Sequence, residues 1–453
     1  MNWARKKIGL LDHLGHGNLG DDATLDAVAQ QIRRRWPDVK LIGLSLNPFD
    51  TRQRHGIPSY AIRRDSKSPP SPERPVSSTA PLKARLKRLA SRCRIYPVLR
   101  TINLAVIRTP KAFLQELLFL AECLRIVRSL DILIMCGGGQ LLDWGGPWSF
   151  PHTLLKWTLL AKLSGVPCYY LNVGAGPLRD SLSRFFVKLA LLFSDYVSFR
   201  DESSRVLVQG IGFRRTADVF PDNVYGLEIP DFHVDHTRSS ARLMVGFSPM
   251  AYRDPRVSFW DKDQAAYDRY IYQLELFALS LARDRNRLRL FITEISFDSL
   301  AIGDLYRALK SNLTISEACS ITRSHISDAS SLFSEMFSMD CIVTSRFHGV
   351  VFAHLMNKPV LAISPHPKVS NLMKDVGLSA YCVDIRTFDL DLVTNVFGRL
   401  VQNQDNIKRR MAETTALHKE KLLHQFDRLF PLPPIERQRS STRMALKNVC
   451  HRS

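Results

Sequence analysis

Five short segments of this 453-residue chain concentrate glycine, charged and imidazole groups. Gly15-His16-Gly17-Asn18-Leu19-Gly20-Asp21-Asp22 and Cys136-Gly137-Gly138-Gly139-Gln140, with Asp143 beyond it, are glycine loops. Asn172-Val173-Gly174-Ala175-Gly176 has the same design. Glycines let backbone N–H groups approach a ligand closely, and a helix starting there offers its positive end to an anion. Asp21 and Asp22 read equally well as helix N-caps. Ser198-Phe199-Arg200-Asp201 and Thr344-Ser345-Arg346-Phe347-His348-Gly349 bring the charges. A guanidinium is a planar donor fork for carboxylate or phosphate, and an imidazole moves protons near neutral pH. The plainer alternatives are a surface ion pair of Arg200 with Asp201 or Glu202, and Ser345 as a cap with His348 in the first helical turn.

These segments need elements that hold them. Each follows an apolar run of strand length: Lys7 to Asp12, 131 to 136, 167 to 173, 195 to 199 and 341 to 344. Helical periodicity fills the intervals, so the pattern predicts parallel sheets covered on both faces. Ligands of such sheets bind outside the carboxyl ends of the strands, which is where the five segments fall. The pattern restarts after a polar stretch, which predicts two Rossmann-like α/β domains facing a cleft. The boundaries are 1–228, a linker at 229–240, 241–394, terminal helices at 395–430 and a basic, disordered tail at 431–453. The Pro/Ser-rich stretch from Pro48 to about Pro81 reads as a mobile loop.

Taken together, GHGNLGDDATL, the CGGG and NVGAGPL loops, SFRDE and TSRFHGVVFAHLMNKPVLAIS followed by Lys368 resemble the polysaccharide pyruvyl transferase family from about residue 7 to 384. The resemblance implies a fold similar to B-type glycosyltransferases. It also implies transfer of the enolpyruvyl group of phosphoenolpyruvate to two hydroxyls of one sugar, with release of phosphate. The family's arginine in its Ser-x-Arg-Asp/Glu motif falls on Arg200, and its Arg-Leu-His triplet on Arg346, Phe347 and His348; both are associated with phosphoenolpyruvate. Phe347 in place of leucine changes bulk and not donor chemistry. On this reading Arg200, Arg346, His348, Lys368, Asn18, Gly20, Gly137, Gly138, Gly139 and Gly174 form the binding set. His348 is the acid or a phosphate ligand, and Asp21, Asp22 or Asp143 is the base. No cofactor or metal is called for. The acceptor is a glycan or a polyprenyl-linked sugar.

The rival is a nucleotide-sugar glycosyltransferase. Such enzymes hold ribose with a glutamate seven residues before a helix-ending proline, and counting back from Pro359 gives Phe352, which cannot accept those hydrogen bonds.

Composition excludes other classes. Hydrophobic residues at 45% and charged residues at 23% fit an ordinary globular chain and not a collagen-like, coiled-coil or wholly disordered one. The net charge of +20 suggests nucleic acid until it is located. Thr51 to Lys111 holds fifteen Lys and Arg against Asp65 and Glu73, with Tyr60 and Tyr96 as its aromatics, and no nucleic-acid motif accompanies it. Within this insert Leu82, Leu86, Leu89 and Cys93 share a helical face among basic residues, which predicts a basic amphipathic helix that either makes peripheral contact with an anionic membrane or packs its leucines on the first domain with its charges solvated. Eight cysteines without a CxxC pair, and no signal-like or spanning segment, lead to the expectation of a cytoplasmic protein, peripheral at the inner face of the membrane. His13 and His16 read as loop residues and not a metal-ligand pair. The oligomeric state is not legible.

Overall fold

The computed structural model describes residues 6–64, 109–230, 242–257, 261–314 and 320–431, apart from His13, Leu14 and His16. The amphipathic segment around Leu82, most of the linker and the basic tail lie outside the described residues. The first domain runs β1 (Lys7–Leu11), α1 (Leu19–Arg35), β2 (Lys40–Ser45), α2 (Pro48–His55), β3 (Ser59–Ala61), α3 (Thr109–Arg128), β4 (Ile132–Met135), β5 (Gly138–Leu141), α4 (Phe150–Leu163), β6 (Cys168–Ala175), α5 (Ser181–Phe193), β7 (Tyr196–Phe199), α6 (Glu202–Gly210) and β8 (Asp218–Val219). The second runs β9 (Met244–Ser248), α7 (Gln264–Arg283), β10 (Arg287–Leu290), α8 (Asp298–Asn312), β11 (Ile321–Arg323), α9 (Ala329–Phe337), β12 (Cys341–Thr344), α10 (Phe347–Leu355), β13 (Val360–Ser364), α11 (Pro367–Asp375), β14 (Cys382–Asp384), α12 (Leu390–Gln402) and α13 (Gln404–Leu429).

Both sheets are parallel. Their orders are β3-β2-β1-β4-β6-β7-β8, with β5 also paired to β6, and β11-β10-β9-β12-β13-β14. The two-domain α/β fold expected from the sequence is the one observed. Central strands such as Ile132–Met135 and Val360–Ser364 are buried throughout, as unbroken apolar runs require when helices cover both faces. One core lies between the first sheet and α3, α4, α5 and α6. Another lies between that sheet, α1 and the end of α13, where Phe430 meets Trp36 edge-on at 5.4 Å. The largest fills the second domain and takes in Leu19, Ala23 and Ala27 of α1. Helix α1 therefore belongs to both domains, and its first turn stands at their junction.

Two local expectations are corrected. Residues 48 to 61 form α2 and β3 and not a loop. Asn47 caps α2 by accepting from the Asp50 amide, Pro48 opens the helix, and Gly56 closes it at φ 63°. The CGGG segment likewise continues into β5, whose Gly138 pairs with Val173 of β6.

Candidate active site

Arg200 follows the last residue of β7 and is 9% exposed, so the surface ion pair is set aside. Its Nη1 donates to Asp222 at 3.2 Å and its Nε to Asp201 at 3.4 Å. The guanidinium lies 4.0 Å above the Phe347 ring of the second domain. A Cβ at residue 174 would fall 2.5 Å from Nη2, so Gly174 is the space the arginine occupies. Burial alone would raise Asp222, but His348, Arg200 and the Val224 amide outweigh it and hold the carboxyl far below the usual range.

Arg346 follows β12 and occupies the N-cap position of α10. Its Nε and Nη2 grip Asp298 at 3.0 and 2.5 Å, and Glu294 lies 3.9 Å away. Asp298 is wholly buried. Glu294 accepts from the amides of Ser296 at 2.9 Å and Phe297 at 2.6 Å; burial and Asp298 push it up to about 7 against the pull of Arg346. Ser345 is not a cap: its hydroxyl bonds Tyr270 Oη at 2.8 Å. Each arginine is thus aimed by a buried carboxylate. Among the described residues, Nη2 of Arg200 and Nη1 of Arg346 make no hydrogen bond and remain available to a ligand.

His348 stands where the domains meet. Its Nε2 is buried, 3.7 Å from Asp222 Oδ2 and without a hydrogen-bond partner. A Cβ at Gly20 would overlap its ring, so only glycine lets α1 start here. The glycine loop is itself docked on the second domain: the Leu19 amide donates to Thr293 and the Ile295 amide to Gly17, at 3.1 and 2.7 Å. Asn18, and neither aspartate, caps α1 by accepting from the Gly20 amide at 3.1 Å, while its Nδ2 donates to Asp21 at 2.8 Å. Burial raises the Asp21 carboxyl against the pull of His348 and Lys368.

Lys368, in the first turn of α11, carries the sharpest electrostatic signal. Burial, then Arg200 and Arg346, push its amine down to about 8 against the pull of Asp21 and Asp201. Its Nζ has no hydrogen bond or ion pair among the described residues. His348 and Lys368 act on Asp21, and Arg200 and Arg346 on Lys368, so four basic side chains, three from the second domain and one from the first, meet at the junction among the carboxylates of Asp21, Asp201, Asp222, Glu294 and Asp298.

The remaining sequence candidates fall elsewhere or act differently. Asp22, adjacent to Asp21 but turned about 100° around the helix, faces α2, 3.4 Å from His55 and 3.6 Å from Arg54. Asp143 accepts from the Arg179 and Asp180 amides at 2.5 and 2.8 Å and so pins the following loop. Gly137 and Gly138 have φ of 102° and 67°, and a Cβ at Gly138 would sit 3.4 Å from Asp21 Oδ1. Gly139 meets only Leu142, at 3.9 Å. Asn172, at φ 53°, builds a buried network: its Nδ2 donates to Asn223 at 2.6 Å and to Gln425 of α13 at 2.9 Å. Phe352 is wholly buried against Phe333 and His348. Sequence reasoning missed Asp298 and Glu294, and Asp222 was not among its candidate site residues. Glu294 carried a legible signal, since it follows the β10 run.

The geometry defines a class of fold: two parallel α/β domains that meet at a site lined by basic and acidic side chains. Solved structures resemble the chain in fold. They include UDP-GlcNAc 2-epimerase from Methanocaldococcus jannaschii (10% identity, 87% of this chain and 92% of that one, TM-score 0.51). S. aureus MnaA in a co-structure with UDP matches at 11% identity over 94% and 98%, with TM-score 0.53. The N-terminal domain of Candida albicans trehalose-6-phosphate phosphatase matches at 12% over 94% and 96%, with TM-score 0.54. At such identities the likeness is one of fold. No curated protein matched the sequence. Residues 18–367 match the polysaccharide pyruvyl transferase family, and the chain belongs to that family. The match runs from Asn18 to the residue before Lys368, which supports a transferase of polysaccharide biosynthesis.

Proposed function

We propose that the protein transfers the enolpyruvyl group of phosphoenolpyruvate to two hydroxyls of a sugar in a polysaccharide or polyprenyl-linked glycan, giving a pyruvate ketal. The observation that carries this reading is the convergence of Arg200, Arg346, His348 and Lys368 at the domain junction, where each arginine keeps one terminal nitrogen without a hydrogen bond and the Lys368 ammonium makes no ion pair among the described residues. Phosphoenolpyruvate bears a carboxylate and a phosphate on one carbon, and so needs two donor groups close together. Arg200 and Arg346 each have one terminal nitrogen for such a ligand, and Lys368 adds a point charge.

A proton goes to the methylene carbon, and the first sugar hydroxyl adds to the adjacent carbon, where positive charge develops. The second hydroxyl adds to that carbon as its bond to the phosphate oxygen breaks. Phosphate leaves, and of the two hydroxyl protons one replaces the proton delivered to carbon and the other leaves with phosphate. Asp21 is the base candidate that fits best: burial raises its carboxyl and it stands at the junction beside His348 and Lys368, while Asp22 and Asp143 are engaged elsewhere. His348 protonates carbon or holds phosphate, with the Asp222 carboxylate 3.7 Å from its Nε2.

Phosphate release from phosphoenolpyruvate, followed across a panel of glycan and lipid-linked acceptors, tests the proposal. Acceptor-dependent release with a ketal in the product supports it. Turnover of a nucleotide sugar, with phosphoenolpyruvate inert, would establish the rival.

A further inference from the structure

Phe347 is the first residue of α10, set between Arg346 and His348, and it is buried. Its ring belongs to the core of the second domain and stands edge-on to His348 at 5.3 Å. The same ring reaches the other domain, for the Arg200 guanidinium lies over it, 4.0 Å from its centre.

This contact sits where the domains repel. Arg200 comes from the first domain, Arg346 and Lys368 from the second, and both arginines push the Lys368 amine down, so the cations act on one another across the junction. The carboxylates that hold Arg200, Asp201 and Asp222, belong to its own domain. They fix the direction of the guanidinium there, although Asp222 also lies 3.7 Å from His348. A ring face is the negative part of an aromatic quadrupole and attracts a cation most strongly where both are desolvated. An aliphatic side chain of similar reach has no such face. We propose that Phe347 is a positioning residue that clasps Arg200 to the second domain, so that the donors of both domains stand together before any anion arrives. The identity of that anion rests on the function proposed above, and the clasp does not.

The full chain, Phe347→Leu and Phe347→Tyr are compared by small-angle X-ray scattering, without ligand and with inorganic phosphate or phosphoenolpyruvate, and by steady-state kinetics. Wild type and Phe347→Tyr keep one radius of gyration throughout. Phe347→Leu is larger without ligand and contracts to the wild-type value when the anion is added, because the anion then holds the cations together. Its KM for phosphoenolpyruvate rises about tenfold, the scale of one desolvated cation–π contact, and several times more than its kcat falls. Phe347→Tyr, which retains the ring face, keeps the wild-type KM. A leucine variant as compact as wild type without ligand overturns the proposal whatever the donor is. So does a tyrosine variant as open as the leucine one, which would reduce Phe347 to its bulk. If phosphoenolpyruvate is inert with all three proteins while the scattering contrast is present, the donor reading fails and the clasp stands.

Discussion

Two ionic clusters start from adjacent residues of α1, and their charges are matched in opposite ways. Around Asp22, His55 lies between two carboxylates, 2.7 Å from Asp26 and 3.4 Å from Asp22, with Arg54 beside it. Burial opposes its charge, but hydrogen bonds to both carboxylates outweigh this and lift the imidazole to about 9. Around Asp21 the sign reverses. Burial and two arginines push the Lys368 amine down to about 8. The first cluster stabilises its own cation and has no use for a ligand. The second holds a cation that an incoming anion would stabilise, as the proposed reading requires.

The largest effect that could break this comparison lies at Arg346. Arg346→Ala should lower turnover at least about a thousandfold. It should also destabilise the protein by about 3 kcal/mol, because Asp298 is left buried and unpaired. Adding Asp298→Asn should restore the melting temperature and leave turnover lost. Recovery of both would reduce Arg346 to a structural partner of Asp298.

Lys368→Met comes next. It should cut turnover about a hundredfold while raising stability by about 1–3 kcal/mol, since a cation disfavoured by its surroundings is removed. Chemical denaturation reads the stability. A destabilised variant would mean that Lys368 serves the fold.

His55→Gln should do the reverse, lowering stability by about 1–3 kcal/mol with turnover little changed. A histidine raised from about 6.5 to about 9 on folding contributes stability that is complete below the lower value and lost as pH rises through the upper one. Wild type should therefore lose melting temperature relative to His55→Gln between pH 6.5 and 9. Parallel pH profiles would remove the contrast.

The smallest effects separate the glycines. Gly139→Ala makes only an ordinary van der Waals contact with Leu142 and should change stability by less than about 0.5 kcal/mol. Gly20→Ala collides with His348 and should depress turnover far more. Equal activity of the two would show that Gly20 and His348 do not need their close approach.

The sequence made the strand ends legible because buried parallel strands leave long apolar runs, and the residues after them stand out by contrast. Arg200, Arg346 and His348 were visible in this way. Their orienting acids were harder: Asp298 lies 48 residues from the arginine it grips, and only folding brings the two together. Asp21 and Asp22 are equivalent in sequence, and the turn of the helix between neighbours sends one to the junction and the other to His55. Asn172 was read as part of a ligand loop, but its side chain clasps Gln425 from the far end of the chain. Helix α2 was hidden because Pro48 and Gly56 read as loop residues, although they are its first residue and its terminator.

Calorimetry of phosphoenolpyruvate binding at pH 8, in buffers of different ionisation enthalpy, tests the central claim most directly. At that pH Lys368 is about half protonated, and a bound anion must raise its affinity for a proton. The account predicts binding with net proton uptake in the wild type, and loss of that uptake in Lys368→Met. Binding without proton uptake, or no binding of phosphoenolpyruvate with acceptor present while a uridine diphosphate sugar binds, would contradict it.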